Sequence, residues 1–491
     1  MTAVRALTQV FRDPLDPEVF GRLGVLALRV ALGFGLLIIG FGVWKSLTLL
    51  ALFLGFLVAL VAGWWLFQRP VLNLCTLILG FTLIAGFEDG TQPTEVLYGL
   101  YYMAFLGHWY LTRVFLYRER IFETRESRVL IAFLILATAS VGLTILFGGD
   151  LRFFIGEWLS LSFLALYFPV REVVTRHKYG LHAVMGAVLL LALWVFVRNV
   201  LNYQQILLDA AYAWQVTRGR AVTNTSILMV PLFVSLVYLL HAPKLRKAWL
   251  SGTVFAIFFA GLIISQSRGY WVAFAGACVV LLLVMPGRQR SRLIGIGVAS
   301  IAGIIAIGYV VLGDVFILVA TGMLDRVLSI GSAATTDISL INRFRETAVV
   351  WGKVMENPIL GYGMGVPFSF WDLTFLPPFH HVTTFLHNGY VALWYKFGLW
   401  GLVMVLYFWG NAIWRAIRAY RLKGSAFLRL ANLGVAGVLI SLVISAITSN
   451  PFYINDPMFM FGIVTGAAAG ADQLLRRSGG DLPTSRTRAL P

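Results

Sequence analysis

Apolar runs of about 20 residues recur along this chain, from near residue 23 to near residue 474. A run of that length matches the ~30 Å hydrocarbon core of a bilayer at 1.5 Å rise per residue. Backbone N–H and C=O groups find no water in that core, so a spanning segment must be a helix or part of a closed barrel. The runs lack the strict apolar/polar alternation of a barrel strand, which leaves helices. Hydrophobic residues make up 59% and charged residues 12% of the chain, against ~25% charged in a soluble domain. The chain therefore reads as an all-α polytopic membrane protein.

The pattern predicts about 14 transmembrane helices, roughly at 23–43, 46–67, 71–87, 95–112, 129–147, 152–169, 181–198, 223–241, 249–264, 270–286, 293–313, 388–409, 430–449 and 457–474. With the N-terminus inside, an even number returns the C-terminus to the same side. Residues 1–313 then form one block of spans, 314–387 a large outer loop domain, 388–475 the remaining spans and 476–491 a disordered inner tail. The net charge of +17 does not imply nucleic acid. Most of the basic residues, such as those from Arg113 to Arg128 and from Arg415 to Arg429, fall in short connections on one side. The positive-inside rule and contact with anionic headgroups explain them. Cys75 and Cys278 sit inside apolar runs and read as core residues.

The basic residues on the other side carry more information. Arg198, Arg218, Arg220, Arg268, Arg326, Arg343, Arg345 and Lys353 fall outside that trend. Charge near membrane depth is costly, so each needs a partner or a ligand. In QVTRGRAVTNTSIL, Arg218 and Arg220 flank a glycine; two guanidinium forks suit phosphate oxygens, or pair with an acid such as Asp209, or reach lipid headgroups. Arg268 lies in the short polar SQSRG turn between two spans. A helix starting there would aim its N-terminal amides at an anion, or the arginine would bind a lipid phosphate.

Within the outer loop, residues 343–355 have helical spacing, with Ile341, Phe344, Ala348, Trp351 and Val354 or Met355 on one face. This predicts a helix lying on the outer surface, stopped by Asn357-Pro358. Gly361, Gly363 and Gly365 then predict a flexible turn. His380-His381 hints at metal, but no carboxylate or cysteine stands at ligand spacing. His387 is placed at the outer end of the span beginning near 388. An imidazole there can serve as a general base near neutral pH or cap the interface.

NPILGYGMG at 357–365 followed by HNGYVALWYKFGLWG at 387–401 resembles the O-antigen ligase and polymerase superfamily. The ligase branch carries His, then Asn, Ser or Gln, nine residues, Gly, two residues, and Gly, Thr or Tyr. His387, Asn388, Gly398 and Gly401 fit every fixed position, and SQSRGYW resembles the family's Ser-Arg-Gly element. The resemblance runs from about Tyr212 to about Gly466.

It implies an inverting glycosyltransferase with a C-type bundle and a periplasmic loop, in the bacterial inner membrane with its site facing the periplasm. The donor would be glycan on undecaprenyl diphosphate and the acceptor a lipid A–core sugar hydroxyl. His387 would take the acceptor proton. Arg268, with Arg218 or Arg220, would hold the diphosphate; Arg343, Arg345 and Asn388 are further candidate contacts. No metal or other cofactor is expected. Alternatives are an O-antigen or exopolysaccharide polymerase of the same fold, and a lipid-linked glycan transporter. A transporter should break its helices near the membrane midplane, whereas here the charges gather at one rim.

Overall fold

A computed structural model of the chain describes residues 47–84, 92–119, 121–209, 223–265, 267–313, 338–373 and 377–478, with isolated positions within 29–40 and 317–324. The helices, in chain order, are α1 (Leu47–Phe67), α2 (Pro70–Gly80), α3 (Pro93–Tyr110), α4 (Arg125–Ala139), α5 (Val141–Leu146), α6 (Leu151–Ser162), α7 (Tyr167–Arg176), α8 (Gly180–Asp209), α9 (Thr225–His241), α10 (Leu245–Ile264), α11 (Arg268–Val284), α12 (Gly287–Leu312) and α13 (Ile338–Glu356). An antiparallel hairpin follows, β1 (Phe368–Asp372) and β2 (Phe379–Thr383), and then α14 (Gly389–Arg421), α15 (Ala426–Ser445) and α16 (Asn455–Ser478).

Every predicted span from 46–67 onward falls on a helix, and the first lies largely outside the described residues. Seven helices among the described residues are long and apolar enough to cross a membrane, or up to eight if a bent pair counts as one span. Among the described residues this is fewer than the about fourteen spans expected. The helices α9 and α11 are apolar but only 17 residues long. The bent pair, residues 61–67 and 70–83, turns through 114°. The architecture is that of a multi-pass membrane protein.

The chain divides into two compact units. In the smaller one, α2 and α3 are tied by hydrogen bonds from the Tyr98 hydroxyl to the Leu77 carbonyl at 3.1 Å and from the Tyr101 hydroxyl to Asn73 Oδ1 at 2.5 Å.

The larger unit is built around α15, which packs against α9, α11, α14 and α16. Lipid is as apolar as leucine, so burial alone does not hold such helices together; close approach does. Gly462, Gly466 and Gly470, spaced by four, line one stripe of α16. A Cβ at these positions would meet Phe163 O at 2.2 Å, Tyr167 O at 2.6 Å and Val174 Cβ at 2.7 Å. The stripe lets α16 seat directly on the backbone of α7 and the turn before it. On the other side of the core, the Trp409 indole N–H donates to Leu439 O at 3.2 Å, joining α14 to α15.

The segment between α13 and α14 departs from the sequence reading in two ways. It contains the hairpin, paired from Phe368↔Thr383 to Asp372↔Phe379, which the sequence did not announce. Asn357-Pro358 stops α13 as expected; of the residues expected on one face Phe344, Ala348, Trp351 and Met355 are exposed, while Val354 is buried with Asn342, Glu346 and Val350. The glycine turn is packed rather than flexible. Gly361, Gly363 and Gly365 hold φ of 72°, 90° and 71°, and each lies against foreign backbone: Gly398 N, Thr144 N and Asp150 O respectively.

Candidate active site

His387 stands two residues ahead of α14. The side chain of the intervening Asn388 caps that helix, its Oδ1 accepting the N–H groups of Tyr390 and Val391, both at 3.1 Å. This is a standard use of asparagine before a helix, satisfying amides that have no intrahelical partner. Asn388 thus has a local reason to follow the histidine. The cap also fixes the direction in which residue 387 leaves the helix.

His387 Nδ1 lies 2.8 Å from Glu346 Oε2, and the His387 backbone N–H donates to the same oxygen at 3.4 Å. The Glu346 side chain is 6% exposed and that of His387 34%. A buried carboxylate therefore faces one ring nitrogen while the ring itself reaches the surface. A carboxylate only accepts, so it selects the tautomer with hydrogen on Nδ1 and leaves the lone pair on Nε2. Phe385 packs edge-on to the imidazole at 5.1 Å. Glu346 was missed in the sequence. The signal was there in its four-residue spacing with Asn342, Val350 and Val354, which marks the buried face of α13.

The turn at 446–450 connects the other pieces. Arg343, one helical turn before Glu346, donates from Nη1 to Thr448 O at 2.7 Å. Gly389 N–H donates to Ala446 O at 2.9 Å, and fully buried Asn450 donates from Nδ2 to Leu386 O at 2.8 Å. A Cβ at Gly269 would be 3.7 Å from Thr448 Oγ1, so the turn that carries Arg268 meets the same loop. Arg268 is half-buried and opens α11 with Ser267 as its N-cap. The Arg268 turn, Arg343 and the residues on both sides of His387 are thus held by one five-residue segment. Arg345 is exposed on α13. Arg218 and Arg220 lie outside the described residues.

Among the remaining unexplained charges, Arg198 has an internal use. Its Nη2 donates to Thr223 Oγ1 at 2.6 Å and Asn224 Oδ1 at 2.8 Å, which anchors the start of α9.

Beneath the site lies an ion pair that residue spacing does not announce. Lys396 is fully buried and pairs with Glu157 of α6; its Nζ also donates to Thr384 O at 2.9 Å. Glu157 Oε2 accepts the Gly365 N–H at 3.0 Å. The Tyr453 ring lies 5.0 Å from the Lys396 ammonium. Burial, and then the Glu157 carboxylate, push the Tyr453 phenol well up from its ordinary value, so it stays neutral. These contacts clamp the glycine turn and the exit of β2, three residues short of His387.

Gly398 closes the frame. It breaks α14 with φ 64° and ψ −170°. The backbone groups this break leaves unpaired are taken up by the turn after α13. Tyr362 N–H donates to Tyr395 O at 2.8 Å, Gly363 N–H to Lys396 O at 2.9 Å, and Leu399 N–H to Pro358 O at 2.9 Å. A Cβ on Gly398 would lie 2.0 Å from Ile359 O. The spacing of His387, Asn388 and Gly398 therefore has a physical basis: a histidine held by a buried glutamate, a cap, and a kink where another backbone docks.

His380 and His381 do not act together. Successive strand residues face opposite sides; His380 packs on Trp371 with ring centroids 5.4 Å apart, and His381 Nδ1 is 3.5 Å from Asp372 Oδ2.

No curated protein matches the chain. Residues 253–406 match a family described as O-antigen ligase. That span contains Arg268, α13 with Glu346, the hairpin, His387 and the Gly398 break. The match identifies residues 253–406 as a domain of the O-antigen ligase family, a family of membrane glycosyltransferases of ligase and polymerase type that act on lipid-linked glycans.

Proposed function

We propose that the protein transfers glycan from undecaprenyl diphosphate to a sugar hydroxyl of lipid A–core at the periplasmic face of the inner membrane. The observation that carries this reading is the 2.8 Å contact between His387 Nδ1 and buried Glu346. It leaves Nε2 as the acceptor of a proton. The acceptor hydroxyl gives its proton to Nε2 as its oxygen attacks the anomeric carbon. The bond from that carbon to the diphosphate oxygen breaks, and undecaprenyl diphosphate leaves with the electron pair. A single displacement inverts the anomeric centre. Glu346 stabilises the imidazolium that forms, as an orienting carboxylate does in other His-based sites.

Arg268, with Arg218 or Arg220, is assigned to the diphosphate, where fixed positive charge offsets what develops on the leaving group. Arg343 is tied to the 446–450 turn, which fits a positioning role. Arg345 and Asn388 remain candidate substrate contacts.

The test is transfer by the purified protein, supplied with undecaprenyl-diphosphate-linked glycan and lipid A–core, with and without EDTA. Glycan on lipid A–core that is insensitive to EDTA and lost in His387→Ala and Arg268→Ala supports the reading. Longer lipid-linked chains with unmodified lipid A would replace it with a polymerase. Passage of lipid-linked glycan across a vesicle membrane without any product would replace it with transport.

A further inference from the structure

The helix that carries Glu346 has two faces of different chemistry. Asn342, Glu346, Val350 and Val354 are buried toward the site. Phe344, Ala348, Trp351 and Met355, at i, i+4, i+7 and i+11, form an apolar stripe on the other side. Phe344 is 54%, Trp351 43% and Met355 50% exposed, and Ala348 is exposed too. Such a stripe is costly in water.

The contacts of α13 say what covers it. Trp351 packs edge-on to Trp394 of α14 with centroids 5.3 Å apart, and the Trp394 indole N–H donates to Pro358 O at 2.8 Å. Pro358 O also accepts the N–H of Leu399, the first residue past the break. Up to the break, α14 is largely enclosed by protein: Val391, Ala392, Leu393, Tyr395 and Phe397 are buried. Past it, Leu399, Trp400 and Val403 are exposed on a helix long and apolar enough to span a membrane. The break thus marks where α14 begins to face lipid. Ile359 and Leu360, both exposed, sit at that level, and the α13 stripe continues the same apolar surface. Exposed Arg345 stands about a quarter of a turn around the helix from it, matching anionic headgroups.

We propose that α13, with Ile359 and Leu360, lies in the boundary between lipid headgroups and acyl chains. Phe344, Ala348, Trp351 and Met355 are its inserted face, and Glu346 is held on the opposite face. This is the geometry of an interfacial amphipathic helix. It sets the depth at which Glu346 and His387 stand. The placement rests on the multi-pass membrane character of the chain and is independent of the ligase reading.

The test uses the full chain with Cys75→Ser and Cys278→Ser, carrying single spin-labelled cysteines, in phosphatidylethanolamine–phosphatidylglycerol vesicles. Labels are placed through Phe344→Cys, Ala348→Cys, Trp351→Cys and Met355→Cys, and for comparison through Arg345→Cys, Gly352→Cys and Glu356→Cys. Power saturation compares collision with oxygen, which partitions into lipid, and with a nickel chelate, which stays in water. The oxygen-to-nickel ratio is expected to be several-fold higher at the first four positions than at the other three. Nickel dominance at all seven would place the stripe in water and overturn the proposal. Exclusion of both reagents at the first four would mean protein covers the stripe and would overturn it as well. If the larger replacements fail to fold, Ala348→Cys against Gly352→Cys makes the same comparison with small changes. The readout does not involve transfer, so its failure is distinct from failure of the proposed function.

Discussion

His387 and Glu346, 41 residues apart in sequence, meet at Glu346 Oε2, which lies 2.8 Å from the ring Nδ1 and 3.4 Å from the backbone N–H of the histidine. In the proposed reaction the glutamate is the positioning residue for the histidine that takes the acceptor proton. Glu346→Gln keeps the shape but can present an amide N–H where an acceptor is needed, which disturbs the tautomer. Transfer is expected to fall about 10- to 100-fold, in line with losses at orienting partners elsewhere. The fall should lie in kcat, with KM for the lipid-linked donor unchanged. His387→Ala should cost about 10²–10⁴-fold, the usual share of general base catalysis. The double variant should be no worse than His387→Ala alone, because the two act as one unit. Steady-state transfer kinetics check all three.

Arg268→Lys separates charge from geometry. A lysine keeps the positive charge but loses the planar fork that binds two phosphate oxygens at once. The donor KM is expected to rise and kcat to fall, with the acceptor KM unchanged. Equal effects on both substrates would remove Arg268 from the diphosphate.

Removing the ammonium beneath the site is predicted to be more damaging than removing the pair. Lys396→Met leaves Glu157 buried and uncompensated, at a cost of about 3–5 kcal/mol. Lys396→Met combined with Glu157→Met should recover much of that loss, a coupling typical of contacting charges. Thermal unfolding in detergent of the two singles and the double measures it.

Gly398→Ala tests the break itself. The backbone there sits in a region that is essentially glycine-only, and the added methyl would press on Ile359 O. Strain of roughly 1–3 kcal/mol comes on top of the clash. The variant is expected to lose thermal stability. Gly410→Ala, with nothing within 4 Å of its would-be Cβ, should be tolerated in the same melt.

The sequence was most legible where the signal is local. Each apolar run from residue 46 on is a helix, Asn357-Pro358 ends α13, and His387 comes just before α14. The distant pairings were not legible. Glu346 and Lys396 find partners 41 and 239 residues away, and nothing in residue spacing announces such a meeting. On α13, periodicity finds the apolar stripe of Phe344, Trp351 and Met355 but does not announce that Asn342 and Glu346 are on the buried face. The glycines after it suggest freedom of movement by composition, whereas their positive φ serves close packing between α5, α6 and α14. The hairpin was obscured by its Pro377-Pro378 and by aromatic residues on both faces, which hide strand alternation.

The break in α14 also bears on how the protein is made. Residues 399–421 alone extend ~34 Å at 1.5 Å per residue, enough to be inserted as an ordinary span during synthesis. The nine residues before Gly398 are different. Their last carbonyls are satisfied only when the turn after α13 docks on them. Spanning the membrane and shaping the segment ahead of the break therefore draw on different contacts. A chain can be fully threaded through the membrane, and pass any test of topology, before the segment that carries its histidine has acquired its working shape.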